Sequence, residues 1–352
     1  MRITEERLGS IYRGLAHSYG APEDEAAIFA RCLLRADQRG HHTQGIGLVP
    51  YLSELFDAGV MSFGRPTEII RETAATAMID GHRGVGQVIG TRAMAIAIAK
   101  ARTSGIGFVS VRRSSDYGMA ANYALQASDQ GMMGISCSTG PILVAPWGGR
   151  DAKFCTNPIA FAVPAGDCDP IVIDMATSAN SMGAVVLAAR DGDMLQGLDV
   201  VDSAGHYTND PRRVILDVMD RESRMSGALL PAGPKGFGMM LMVEILGALL
   251  SGERSWDDET PDDVRNRAAF YGQTFIAISV EHFQDPDTFA KSADRMIRTL
   301  TGLPPAQGFD HIRLPGQGAA AKERDYRANG ILLRDEEWRM MEELAARRGI
   351  AL

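Results

Sequence analysis

Alternating strand and helix patterns over residues 74–138 constrain the fold of this chain most strongly. The apolar pattern predicts strands at Ala74 to Ile79, Ile106 to Val111 and Met133 to Ser138, separated by helices at Val88 to Arg102 and Met119 to Asp129. Strands and helices that alternate in this way build a sheet with helices packed on its faces. We therefore predict an α/β or α+β core.

The rest of the chain extends this core and encloses it with helices. Further strands are predicted at Ile159 to Val163, Ile171 to Asp174 and Phe275 to Val280, and further helices at Ala179 to Arg190, Phe237 to Leu250 and Pro286 to Leu300. Helices are also predicted at both chain ends, with the C-terminal ones at Ala319 to Asn329 and Glu336 to Arg348, and the segment up to Thr73 is interpreted as helix and loop. The helical ends are expected to pack on each other.

Charge and hydropathy exclude several classes of partner. The 352 residues include 36 basic and 44 acidic side chains, a formal net charge of -8, and no block of lysines or arginines. A nucleic-acid partner or an anionic membrane surface is disfavoured because both need a basic face. The most apolar stretch, Phe237 to Leu250, is too short to span a bilayer and contains Glu244, so it is predicted to be a buried helix.

The cysteines and the N-terminus indicate a reduced, cytoplasmic protein. Cys32, Cys137, Cys155 and Cys168 have no paired spacing, so neither a disulfide framework nor a zinc site is predicted. The histidines and carboxylates form no recognisable metal-ligand motif either. The N-terminal residues lack the apolar core of a signal peptide.

Two glycine-rich turns precede predicted helices. In the first turn, the spacing between Gly86 and Gly90 is one residue longer than in the dinucleotide-binding fingerprint G-x-G-x-x-G. A simple tight turn therefore explains the glycines of Gly84-Val85-Gly86 equally well. Lys235, within Gly233 to Gly238, stands at a helix start where it could hold an anionic ligand, although the spacing of a phosphate-binding P-loop is absent.

Eight stretches in the same order give the chain a resemblance to a known family. They are Arg35 to Gly45, Gly84 to Val88, Val111 to Gly118, Ala145 to Gly149, Thr156 to Pro158, Asp174 to Ser178, Leu230 to Gly238 and Leu314 to Gly316. Together they resemble the malate/L-lactate dehydrogenase family of the sulfolactate, ureidoglycolate and 2,3-diketogulonate type. This family is unrelated in fold to the ordinary lactate dehydrogenases.

The resemblance implies a homodimer with an L-sulfolactate dehydrogenase-like fold. Its nicotinamide-binding domain, built on a mixed sheet and not of the Rossmann type, would occupy residues 74–309, and a helical domain would combine residues 1–73 with 310–352. The implied reaction is hydride transfer between NAD or NADP and a small 2-hydroxy acid, 2-keto acid or cyclic imino acid. The expected cofactor-binding residues are Asp174, Met175, Ala176, Lys235, Gly236, Pro315, Gly316 and Gln317, together with Gly118, Thr156 and Asn157.

The chain departs from the family pattern at the residues that carry chemistry. A histidine and an arginine of the family's first motif are Gln44 and Leu48 here, and a second histidine is Asp116. A family lysine is replaced by Ala184, and a glutamate by Gln317. A glutamine can orient a substrate, but it cannot exchange a proton at neutral pH.

Two interpretations follow from these departures. In a rebuilt dehydrogenase, Asp116 or His42 transfers the proton, and Arg113 binds the substrate carboxylate. Thr43 and Gln44 are further candidate catalytic residues, and Leu48 is a candidate substrate-binding residue. An aspartate base would then need a raised pKa to work at neutral pH. Alternatively, the scaffold supports a non-redox enzyme or a redox-inactive binding protein, and Arg113 and Asp116 form a surface ion pair. His41 is expected to be a structural histidine of the turn.

Overall fold

The computed structural model describes residues 1–215, 225–253 and 271–352. Its helices are α1 (Glu5–Ser18), α2 (Glu23–Gln38), α3 (Val49–Asp57), α4 (Gly86–Ser104), α5 (Ala121–Ser128), α6 (Met182–Asp191), α7 (Gly233–Glu244), α8 (Pro286–Thr301), α9 (Gln317–Asn329) and α10 (Asp335–Arg348). Its strands are β1 (Arg2–Ile3), β2 (Glu68–Glu72), β3 (Thr76–Asp80), β4 (Ile106–Arg112), β5 (Met132–Ser138), β6 (Ile159–Val163), β7 (Ile171–Met175), β8 (Val200–Val201), β9 (Tyr207–Thr208), β10 (Ala228–Leu229), β11 (Gln273–Ser279) and β12 (Ile331–Leu332).

A seven-stranded mixed sheet confirms the predicted α/β core. Its strands lie in the order β2-β3-β4-β11-β5-β6-β7. β3 and β4 are parallel and are connected by α4, whereas every other neighbouring pair in this sheet is antiparallel. Alanines and aliphatic side chains of α4 and α5 pack on the sheet around Phe275 of β11. The central strands are therefore buried, as continuous apolar patterns predict.

The two chain ends meet in a second core. β1 pairs antiparallel with β12, so that Ile3 lies opposite Ile331. Leu8, Ile11 and Tyr12 of α1 belong to the same buried cluster as Met341 and Leu344 of α10. The predicted packing of the helical ends is thus present. The exact domain limits, 1–73 with 310–352 and 74–309, remain a prediction.

The edge strand β2 was missed in the segment between the turn at residues 40–45 and Thr73, which the sequence predicted as helix and loop. Residues 68–72 form β2, which pairs with β3 and has an irregular register between Ile69 and Arg71. All five residues of β2 are exposed because the strand lies at the edge of the sheet. A strand without a buried face has no alternation of apolar and polar residues, so the period that identifies strands is absent.

The helix predicted at Phe237 to Leu250 is only partly buried. It begins earlier, at Gly233, and continues after Glu244 into a π-helical turn over Ile245–Leu249. Met240 and Val243 are buried, but Met242 and Ile245 are 44% and 51% exposed. The prediction of a buried helix was therefore wrong for the face that contains Met242 and Ile245. Hydropathy alone does not distinguish a buried helix from a helix with an exposed apolar face. Among the described residues, no helix has the length and hydropathy needed to cross a bilayer.

Phe275 provides a test of the sheet core. Its ring is fully buried and makes edge-on contacts with Tyr117 and Tyr123, at centroid distances of 6.2 and 5.2 Å. We expect Phe275→Ala to lower the free energy of unfolding by about 3 to 5 kcal/mol, because it leaves a cavity in the core. Phe283→Ala, at a side chain that is 73% exposed, is the control and should change it by less than about 0.5 kcal/mol in urea denaturation. Equal effects of the two variants would contradict this packing.

Candidate active site

The loop after β4 presents Asp116 and is fixed by its neighbours on two sides. The Ser115 hydroxyl accepts a hydrogen bond from the Gly86 N–H at 2.8 Å and donates one to the Gly84 carbonyl at 2.9 Å. On the other side, the Gln273 amide donates to the Ser115 carbonyl at 2.9 Å. A Cβ atom on Gly86 would collide with the carbonyl oxygen of Asp116. The Gly84-Val85-Gly86 turn therefore positions this loop.

Asp116 has an environment suited to proton transfer near neutral pH. Its side chain remains half-buried, and its Oδ1 atom accepts the Gly118 N–H at 2.8 Å. Desolvation by burial raises the pKa of Asp116 to about 6, although the hydrogen bond from Gly118 acts in the opposite direction. This is the raised pKa that an aspartate base requires.

The segment that contains Gln44 and Leu48 contacts the Asp116 loop at Gly118. A Cβ atom on Gly118 would lie 3.6 Å from the Gln44 carbonyl oxygen and 3.6 Å from Leu48 Cδ2. Thr43 lies beside the start of α6, because a Cβ atom on Gly183 would lie 3.2 Å from the Cβ of Thr43. The structure thus brings together Gln44, Leu48 and the loop that carries Asp116.

His42 is held in the core of the chain ends. Its Nδ1 atom lies 2.9 Å from Oδ1 of Asp37, and its ring stacks on Tyr326 with a centroid distance of 6.0 Å. Asp37 is fully buried and also accepts hydrogen bonds from the Tyr12 hydroxyl and the Ile46 N–H. These contacts fix the orientation of the His42 ring, and its role in proton transfer stays a prediction.

His41 is neutral in its surroundings, and Arg113 is engaged in an ion pair. Burial lowers the pKa of His41 to about 4, and the nearby charge of Arg39 adds to this effect, so the ring is neutral at pH 7. The Arg113 guanidinium pairs with Asp80, with an Nε–Oδ1 distance of 3.2 Å, and not with Asp116. Arg113 also has a left-handed backbone with φ of 51°, which turns the chain away from β4. Arg113 thus pairs with Asp80 where the sequence predicted Asp116, and its role in binding a substrate carboxylate stays a prediction.

Three of the predicted cofactor loops lie around β7. Asp174 is in β7 itself, directly before Met175 and Ala176, and its Oδ2 atom accepts the Ala121 N–H at the start of α5 at 3.1 Å. Burial raises the pKa of Asp174 to about 6. At the beginning of the same strand, the Val172 N–H donates to the Pro315 carbonyl at 3.2 Å. The loops at residues 174–176 and 315–317 therefore flank one strand.

The Lys235 turn is joined to the segment that follows β7. The Ala232 N–H donates to the Thr177 carbonyl at 3.0 Å, which places the start of α7 beside residues 176–178. Lys235 is exposed in the first turn of α7, and Gly236 is buried. Gly316 forms the backbone turn directly before α9. The start of α7 thus borders the end of β7, whereas the turn before α9 lies beside the beginning of that strand.

Thr156 and Asn157 support these loops from behind. The Thr177 hydroxyl donates to the carbonyl groups of Thr156 and Asn157, at 3.0 and 3.1 Å. The Asn157 amide is fully buried and donates to the Met240 carbonyl and to Glu244 Oε2, both at 3.0 Å. Asn157 therefore ties this turn to α7, and cofactor binding by Thr156 and Asn157 stays a prediction.

Sequence reasoning missed three side chains of this region. Asp37 anchors His42, and the hydroxyl oxygens of Tyr51 and Tyr271 lie 2.9 Å apart. Tyr51 could have been identified as a neighbour of Leu48 from the sequence, because it follows Leu48 by three residues, about one turn of a helix. Tyr271 could not have been identified in this way, because no local sequence pattern predicts a contact with a residue 220 positions away.

Comparison with known proteins identifies the scaffold. The model of the malate/L-lactate dehydrogenase family matches residues 3–342. This chain belongs to that family. A malate dehydrogenase of Pyrococcus abyssi is 33% identical over 359 residues, which cover 99% of this chain and 96% of the relative.

Solved structures support the same assignment. The sulfolactate dehydrogenase of Methanocaldococcus jannaschii superposes with a TM-score of 0.85 at 29% identity, covering 99% of this chain and 98% of that one. The Δ1-piperideine-2-carboxylate reductase of Pseudomonas syringae pvar. tomato also gives a TM-score of 0.85 at 29% identity, covering 98% and 100%. The fold predicted from the resemblance is thereby confirmed, and the chain is a member of an oxidoreductase family.

Asn157 tests how the turn behind the Lys235 helix is held. It has a left-handed backbone with φ of 42°, so Asn157→Ala loses both amide hydrogen bonds and adds backbone strain. We expect a loss of about 2 to 3 kcal/mol in the free energy of unfolding. Asn157→Gly is the matched variant, and it should cost about 1 kcal/mol less because glycine accepts this backbone conformation. An alanine variant as stable as the glycine variant would contradict the strain at this position.

Proposed function

We propose that this protein transfers a hydride between NAD or NADP and a small 2-hydroxy acid, 2-keto acid or cyclic imino acid. The observation that carries the proposal is the Asp116 carboxyl group, with its pKa near 6, beside the point where Gln44 and Leu48 meet Gly118. The malate, sulfolactate and piperideine carboxylate activities named for relatives support a small carboxylate as substrate. As the resemblance implies, we propose that the enzyme acts as a homodimer.

Asp116 supplies the proton-transfer group of this mechanism. In the oxidation direction, its carboxylate accepts the proton of the substrate hydroxyl group while the hydride leaves the adjacent carbon. In the reduction direction, the protonated carboxyl group returns that proton to the carbonyl oxygen. A pKa near 6 gives both forms appreciable populations around neutral pH, which an ordinary aspartate does not provide. The Gln44 side chain would orient the substrate without exchanging a proton.

The loops around β7 fit an anionic dinucleotide. The N-termini of α7 and α9 offer backbone N–H groups, Lys235 adds a positive charge, and Asp174 offers hydrogen-bond acceptors. Close packing keeps both turns in place, since a Cβ atom on Gly316 would lie 2.9 Å from Val172 and a Cβ atom on Gly236 would lie 3.0 Å from the Thr177 carbonyl oxygen. We propose that residues 174–176, 235–236 and 315–317 hold the cofactor, which when bound accepts or supplies the hydride.

Asp116→Asn tests the proton-transfer group. We expect kcat for oxidation of the hydroxy acid to fall by about 100-fold to 10,000-fold, because the amide cannot accept the proton. For the unmodified protein, the oxidation rate should rise with pH and level off above about 6, since the carboxylate is the active form. The reduction rate should fall above the same pH, since there the protonated form is active. Steady-state rates followed by NADH absorbance measure the pH dependence in both directions. An Asn variant that keeps the rates and the pH dependence of the unmodified protein would contradict the role of Asp116 in proton transfer.

Lys235→Ala tests the cofactor loops. Loss of this charge should weaken binding of NADH or NADPH about tenfold or more, because a charge-assisted hydrogen bond to the anionic cofactor is removed. Lys291→Ala is the matched control, since Lys291 is also exposed but lies on α8. Fluorescence titration measures both variants. If the unmodified protein binds neither cofactor at physiological concentrations, the redox function is wrong and the non-redox or binding-protein alternative stands.

A further inference from the structure

The central strand of the sheet begins with a glutamine that is completely buried. Gln273 is the first residue of β11, where it lies opposite Val111 of β4 and Ser138 of β5. The residue has no solvent exposure. Its amide nitrogen donates one hydrogen bond, to the Ser115 carbonyl at 2.9 Å, and its Oε1 atom has no hydrogen-bond partner among the described residues.

Packing alone does not explain a glutamine at this position. Phe275 and Ala277 follow on the same face of β11, and both are fully buried apolar residues of the sheet core. A buried primary amide with an unpaired oxygen destabilises a core, whereas a methionine fills a similar volume without polar atoms. The contact that sets Gln273 apart from its apolar neighbours is the hydrogen bond to Ser115.

This hydrogen bond acts on the peptide group that leads into Asp116. The Ser115 carbonyl belongs to the planar peptide bond between Ser115 and Asp116, so a donor fixed in the sheet sets the orientation of that plane. The Ser115 hydroxyl holds the same residue to the turn before α4. The direction in which the Asp116 side chain leaves the loop therefore depends on the Gln273 amide.

The protonation of Asp116 depends on this position because burial is its main determinant. Burial raises the pKa of Asp116 to about 6, and the Gly118 N–H acts in the opposite direction. The titratable side chains that interact with its charge are the phenols of Tyr117, Tyr123 and Tyr271, and burial raises the pKa of each well above its usual range. All three phenols stay neutral at physiological pH, so a shift of the loop changes Asp116 mainly through its contact with water.

We propose that Gln273 is a positioning residue for Asp116, whose amide holds the Ser115 carbonyl and thereby directs the carboxyl group for proton transfer. This inference rests on the proposed function, since it assigns Gln273 to the same reaction. Gln273 acts through the backbone of Ser115, so its loss should change the rate of the reaction more than the binding of substrate or cofactor.

Gln273→Met tests the proposal because it keeps the approximate volume and removes the donor. We expect kcat for oxidation of the hydroxy acid to fall about tenfold to 100-fold, while KM and the Kd for NADH stay within about twofold of the unmodified protein. The pH inflection of the rate should move from near 6 to lower pH by about one unit, because a released carboxyl group gains contact with water. A kcat within twofold of the unmodified protein, or an unchanged inflection, would overturn the proposal.

Gln126→Met is the matched control. The Gln126 amide also donates to one backbone carbonyl, that of Thr91 at 3.1 Å, but it lies on α5. This variant loses the same kind of hydrogen bond and should keep both kcat and the pH inflection. Equal losses in the two variants would show a general loosening of the fold, and the proposal would then be wrong.

Two further measurements separate positioning from stability. The urea midpoint of Gln273→Met should be no lower than that of Gln126→Met, because the substitution at residue 273 also removes an unpaired buried oxygen. If Gln273→Met does not fold, Gln273→Asn replaces it, with the same expected changes in kcat and pH inflection. Its amide is one methylene too short to reach the Ser115 carbonyl.

Titration of the 13C-labelled aspartate carboxyl carbons distinguishes this proposal from the proposed function. If the unmodified protein shows no turnover with any tested acid, the proposed function fails, but the resonance of Asp116 still reports the position of its carboxyl group. A lower pKa of Asp116 in Gln273→Met, with no change in Gln126→Met, would support the positioning role. Equal pKa values of Asp116 in all three proteins would overturn it.

Discussion

The hydroxyl group of Ser115 is the contact on which the geometry of the site depends. It joins the loop after β4 to the start of α4 through one accepted and one donated hydrogen bond. The helix can approach this closely only because residue 86 is glycine. A βαβ unit of the sheet thereby fixes the backbone of Asp116, and Gln44 and Leu48 of the chain-end core meet the same loop at Gly118. A turn that resembles a phosphate-binding loop in sequence serves instead to position a carboxyl group.

Burial controls the charge of two carboxyl groups in the candidate site. Asp116 and Asp174 both have pKa values near 6, and in both cases burial is the main cause. Arg113, the nearest arginine in sequence to Asp116, is paired with Asp80. A site of this kind keeps a carboxyl group partly protonated at neutral pH, which suits acid and base catalysis by a single residue.

The sequence predicted the sheet and most helices because their apolar periods are long and regular. The strands at Ile159–Val163 and Ile171–Met175 were found almost to the residue, whereas β2 was missed because it has no buried face. The loops around Asp174, Lys235 and Gly316 were predicted from the resemblance, and the structure places them around β7, while their cofactor role stays a proposal. The support role of Asn157 and the contact between Tyr51 and Tyr271 depend on residues distant in the chain, so no local pattern could reveal them. The pKa of Asp116 likewise depends on burial, which only the folded chain defines.

The central claim is that burial gives Asp116 the pKa of a working acid–base group. Titration of the protein labelled with 13C at the aspartate carboxyl carbons tests it most directly, with the Asp116→Asn variant identifying the resonance. We predict that the carboxyl carbon of Asp116 titrates with a pKa near 6. A pKa close to 4, as for an exposed aspartate, would contradict the account.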